Sequence, residues 1–125
     1  MTPEEAMARD VEWLLERREE EGWRWTGRQC ELVELVYAAA QTGLLLAPDG
    51  NRPTVGRLLR EVAARLHCQL PRNPGSVYAR LRVSMESQYS RRQPMRARYA
   101  YMLERGEERP VRRFVSCLLY TSDAA

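Results

Sequence analysis

The sequence predicts an all-α domain of about five helices built on a helix-turn-helix, with at most a short strand at 44–46. Three observations carry that expectation. Apolar residues recur at helical spacing along five separate segments. Capping or terminating residues bracket those segments. Residues 54–90 read as two helices joined by a short polar turn, Cys68 to Asn73, with arginines on the outer surface of the second.

The elements follow in order. Thr2, Pro3, Glu4 and Glu5 open a first helix by capping, preset backbone angle and charge at the positive end of the dipole. It is expected to run to about Glu21, with Met7, Val11, Leu14 and Leu15 on one face and Gly22 as its stop. Trp23-Arg24-Trp25 reads as an extended connector. Thr26 to Gln29 matches a capping box for a second helix reaching Thr42 and ended by Gly43. Leu32, Leu35, Val36 and Ala39 form its core stripe. Leu44–Leu46 is the candidate strand, and Pro48 to Asn51 is a turn by composition.

Thr54 caps the third helix, about Val55 to His67. Val55, Leu58, Leu59, Val62 and Leu66 follow its apolar stripe, while Arg57, Arg60 and Arg65 lie off it. Asn73 and Pro74 open the fourth helix, which runs to about Ser90. At 100° per residue, Val77, Leu81, Met85, Tyr78 and Gln88 face inward. Ser76, Ala79, Arg80, Val83 and Ser87 face outward, with Arg82 at the edge; a buried Val83 would break this assignment. Arg91-Arg92-Gln93 is a basic junction. A fifth helix spans about Pro94 to Arg105, with Met95, Tyr99, Met102 and Leu103 inward and Gly106 as stop.

The 125 residues divide into a connecting or accessory helix at 1–22, a helix-turn-helix domain at 23–109 and a tail at 110–125. The end of that tail, VSCLLYTSDAA, lacks helical and strand periodicity and resembles translated sequencing-adapter read-through. It is left out of the fold expectation, and a C-terminal truncation follows from that reading.

Charge is segregated. Residues 1–51 carry 5 Arg against 11 Asp and Glu, and residues 52–113 carry 15 Arg against 5 Glu. A basic half of this kind suits a polyanion. Three widely spaced cysteines, Cys30, Cys68 and Cys117, make a poor disulfide framework and fit a reducing cytoplasm. There is no apolar run long enough to span a membrane.

Catalysis finds little support. The chain has one histidine and no lysine, and lacks a phosphate-cradling glycine loop, an HExxH motif and a nucleophile elbow. His67-Cys68 reads as structural, and Glu31 and Glu34 as solvated. Tyr99 and Tyr101 read as core packing ahead of stacking on bases. No metal or cofactor is expected.

Double-stranded DNA is the expected partner. Ser76, Ala79, Arg80 and Val83 are candidates for base contact. Arg57, Arg60, Arg72, Arg91 and Arg92 are candidates for phosphate, with Arg96 and Arg98 alongside. The rivals are a protein-interaction module, docking through residues 3–21 with Trp13, and a small enzyme fragment. The oligomeric state is left open.

Trp25-Thr26-Gly27 followed by Glu31-Leu32-Val33-Glu34-Leu35-Val36-Tyr37-Ala38 resembles the opening of the C-terminal domain of RteC-type regulators. Gly75-Ser76-Val77-Tyr78 is similar to the start of that family's recognition helix. The resemblance implies a winged-helix-like domain that binds DNA upstream of excision or transfer genes of conjugative transposons in Bacteroidota. The basic run after the recognition helix is rearranged, Pro94 interrupts it, and a fifth helix stands where a wing is expected.

Overall fold

The computed structural model describes residues 1–47, 49–86 and 94–117. Five helices enclose one core and a two-stranded antiparallel sheet closes one end.

Helix α1 (Pro3–Leu15) opens as its sequence dictates: the Thr2 hydroxyl accepts the Glu5 amide at 3.1 Å and proline stands in the first turn. It stops short of the expected Glu21. Three consecutive glutamates would burden the negative end of a longer helix. Instead the chain restarts as a 3₁₀ turn, Glu19–Glu21, in which the Glu21 carboxylate accepts the Arg18 amide at 2.9 Å. Gly22 then turns the chain at φ +81°.

The α1 helix is no accessory. Met7, Val11 and Leu14 are fully buried in the common core. At about 1.5–3 kcal/mol per buried side chain, they help hold the domain together. The division at residue 22 is corrected accordingly.

Strand β1 (Trp23–Trp25) is more than a connector. It pairs antiparallel with β2 (Val115–Cys117), Trp23 opposite Cys117 and Trp25 opposite Val115. The expectation of a loose tail from 110 is therefore corrected for 110–117. Pro110–Phe114 forms a 3₁₀ turn that buries Val111 and Phe114 before β2 begins. A strand whose partner lies near the other end of the chain leaves no local periodicity to read.

Helix α2 (Gln29–Gln41) is the hub, packing on α1 and on the three later helices, Val55–Arg65, Pro74–Glu86 and Met95–Glu104. Leu32, Val33, Leu35, Val36 and Ala39 are all fully buried, as expected of a helix covered on most sides. Its cap sits two residues later than the expected box: the Glu31 carboxylate accepts the Arg28 amide at 2.7 Å. The Trp-Thr-Gly stretch before it is a packing device. The Trp25 ring stacks on Phe114 with centroids 5.5 Å apart, and its indole donates to the Arg28 carbonyl at 2.8 Å. A Cβ on Gly27 would come within 3.0 Å of the Glu31 carboxylate and 3.3 Å of Phe114, so a side chain there would press on both.

Residues 44–46 do not form the expected strand. Among the described residues, no strand lies beside them to pair with. Leu45 alone is buried, while Leu44 and Leu46 are 56% and 61% exposed.

Helix α3 (Val55–Arg65) is capped by Thr54 and buries Leu58, Leu59, Val62 and Ala63. It ends earlier than expected in a Schellman closure. The Cys68 amide reaches the Ala63 carbonyl at 2.9 Å and the His67 amide the Ala64 carbonyl at 3.3 Å. His67 occupies the left-handed position at φ +51°, where glycine is usual.

Helix α4 (Pro74–Glu86) starts at the Asn73 cap, whose side chain accepts the Ser76 amide at 3.3 Å. It packs on α2 through Tyr78, whose ring lies 4.4 Å from that of Tyr37. The expected inward Met85 and Gln88 and outward Ser87 lie outside the side chains described. Helix α5 (Met95–Glu104) begins where the buried Glu34 carboxylate accepts the Met95 amide at 2.5 Å. It buries Met95, Tyr99 and Met102 and ends before Gly106 at φ +85°.

Candidate nucleic-acid interface

The outward face of α4 is built by what α4 buries. Leu81 is 6% exposed, and Val77 and Tyr78 are half-buried against α2. Helical geometry then turns Ser76, Ala79, Arg80 and Val83 to the other side. All four are exposed, Val83 to 70%.

The neighbouring cations come from α3 and the turn. Arg57, Arg60 and Arg72 are all exposed. Arg57 meets Glu61 one turn on at 3.3 Å, a surface pair worth no more than about 0.5 kcal/mol. Among the described residues, no carboxylate pairs with Arg60, Arg72 or Arg80. Arg91 and Arg92 lie outside the described residues.

Other arginines are occupied. Arg96 pairs with Glu4 and Arg98 with Glu31. Arg113 meets Glu107 at 2.5 Å. The Arg96 guanidinium holds the Glu4 carboxyl below its usual range. Burial pushes the Glu31 carboxyl up, but the Arg28 amide and the Arg98 guanidinium outweigh it and the net shift is downward. The reading of Glu31 and Glu34 as solvated is thus corrected: the first caps α2 and the second caps α5.

Asp10 was invisible to charge patterning. It is fully buried, and accepts the Tyr99 hydroxyl at 2.7 Å, the Val111 amide at 3.1 Å and Arg109 at 3.1 Å. Burial still dominates and pushes the Asp10 carboxyl up. Burial, then the Asp10 charge, pushes the Tyr99 phenol well above its usual range. Tyr99 is core, as expected, whereas Tyr101 is 59% exposed, contrary to the reading that grouped them.

Trp13, the expected anchor for a protein partner, is half-buried. It packs edge-on to Trp23 at 5.2 Å, with Arg17 over its ring at 4.3 Å and Arg109 at 5.3 Å. That ring is already covered by the chain's own cations.

His67 is exposed, with Nε2 2.9 Å from the Glu19 carbonyl, and burial pushes the adjacent Cys68 thiol up, away from the reactive thiolate. Among the described residues, no three His, Cys, Asp or Glu side chains gather at a metal-binding position. No helix there is long and apolar enough to cross a membrane. No family model, curated protein or solved structure matches the chain.

Proposed function

We propose that the chain is a non-catalytic regulator that binds duplex DNA and reads base edges with the outward face of α4. The observation that carries this reading is the exposed set Ser76, Ala79, Arg80 and Val83 on a helix whose other side is packed. Such a helix fits a major groove. The Arg80 fork suits the two acceptors of a guanine, and Ala79 and Val83 suit thymine methyl groups. Ser76, in the first turn, serves either base.

Arg57, Arg60 and Arg72 supply phosphate contacts, and the sequence adds Arg91 and Arg92. These give affinity without sequence preference. The Trp25–Ala38 resemblance extends the reading to control of excision or transfer genes of a conjugative transposon, an extension resting on those residues alone.

Fluorescence anisotropy with a random duplex pool, followed by selection of the bound fraction, tests the reading. Arg80→Ala should cost about 1–3 kcal/mol against the selected site and flatten preference, leaving random-pool affinity nearly intact. Arg57→Gln should weaken all duplexes alike. If both variants lose affinity uniformly, α4 is no reader.

A further inference from the structure

The first turns of α3 and α4 face one another across a gap. Between them lies a cleft of about 300 Å³ whose lining includes Tyr37, Gly56, Arg60, Arg72 and Gly75. Three features distinguish it from the rest of the surface. Two guanidinium groups line it and no carboxylate does. Both helix starts present glycine, which leaves room beside the Leu59, Leu70, Pro71 and Pro74 side chains that complete the lining. The Tyr37 hydroxyl reaches it from α2, 3.6 Å from where a Cβ on Gly75 would stand. The Tyr37 ring is fixed against Tyr78. Arg60 is folded back over its own first turn, its Nη1 3.4 Å from the Cβ position of Gly56.

Donors thus converge from three separate elements: α2, α3 and the turn before α4. A tetrahedral oxyanion offers acceptors in several directions at once, whereas a planar carboxylate is satisfied by one guanidinium fork. We propose that this cleft seats one phosphate group, held jointly by Arg60 and Arg72 and completed by the Tyr37 hydroxyl. On the DNA-binding reading, on which this use rests, it is a single backbone phosphate. It fixes the depth of α4 in the groove, because Tyr37 also braces Tyr78 of that helix. A free phosphate ester shares the chemistry and is the other source.

The test is the salt dependence of random-duplex binding. One phosphate contributes about 0.9 to the slope of log K against log salt. Arg60→Gln, Arg72→Gln and the double variant should each lose about 0.9, because both side chains hold the same group. Tyr37→Phe keeps the ring stack and should lower duplex affinity about tenfold. Gly75→Ala should keep or raise the melting temperature, since alanine favours helix. Its methyl group enters the cleft, however, and should weaken duplex binding.

Additive slope losses in the double variant would mean two separate phosphates and overturn the proposal, while leaving α4 as reader. Unchanged slopes would do the same. A second arm titrates inorganic phosphate and follows the amide signals of Tyr37, Gly56 and Gly75 by NMR. If no duplex binds but these signals shift in the wild type and not in Arg60→Gln, the cleft stands as a site for a free phosphate ester and the functional reading falls. If neither probe binds, both fall.

Discussion

Replacing Asp10 by alanine probes the joint on which the whole scaffold closes. Its carboxylate gathers the Tyr99 hydroxyl from α5, the Val111 amide from the C-terminal segment and the Arg109 guanidinium. Tyr99 and Val111 are fully buried, so alanine strands two donors away from water. Each stranded donor costs about 1–3 kcal/mol. Arg109 retains 27% side-chain exposure and can turn to solvent.

Deleting the carboxylate also removes its own burial cost, which places the loss in the lower part of the range, about 2–4 kcal/mol. At this chain length that lowers the melting temperature by about 8–16 °C. Asp10→Asn keeps one acceptor oxygen and should lose about half as much. Urea unfolding followed by circular dichroism measures both.

The pH dependence carries a second sign. Because burial raises the folded pKa of Asp10 above its ordinary 3.8, the protonated form is favoured in the fold. The stability it contributes is present below 3.8 and is lost as pH rises through the folded value. The gap between wild type and Asp10→Asn should therefore narrow as pH rises from 4 to 7. A gap that widens would mean that the three donors outweigh burial. An alanine variant within about 1 kcal/mol of wild type would show the donors satisfied elsewhere, and the joint would be no joint.

Two further substitutions test the scaffold under the reading helix. Glu34→Gln exchanges a charged for a neutral acceptor at the first amide of α5, and should cost about 1 kcal/mol, or about 4 °C in a thermal melt. Gly43→Ala forces a methyl group into a left-handed backbone at φ +72° and to 3.1 Å from Arg52, and should cost about 1–2 kcal/mol in the same melt.

The sequence was most readable where one helix carries its own information. The Thr2 and Thr54 caps, the Asn73–Pro74 start and the apolar stripes of α2 and α3 all act within a turn or two of themselves. The outward face of α4 was legible for the same reason: burying Leu81 fixes where Val83 points. What periodicity could not carry was pairing at a distance. Trp23–Trp25 became a strand only because Val115–Cys117 came alongside. Asp10 sits on a helix among alanines and looks like surface until the Val111 amide and Tyr99 arrive. Tyr37 reads as the edge of an apolar stripe, and nothing in its neighbours announces that its hydroxyl borders the gap between α3 and α4.

Charge segregation along the chain admitted two meanings: acidic residues spread over a basic body to keep it soluble, or two sides of opposite use. The folded chain separates them by pairing. Among carboxylates of the first half, Glu4 meets Arg96, Glu31 meets Arg98 and Asp10 meets Arg109. Uniform neutralisation would have sent some of them to Arg60, Arg72 or Arg80, and among the described residues none arrives. Surface pairs yield at most about 1 kcal/mol, so leaving those arginines unpaired costs the fold little. It keeps three guanidinium groups available to a polyanion, which releases bound counterions on contact. Low-salt association should therefore be steered to these three: a triple Arg60, Arg72, Arg80→Gln variant should lose most of its salt-dependent association rate, and Arg113→Gln almost none. Equal losses per charge from the two variants would return the charge pattern to a matter of solubility.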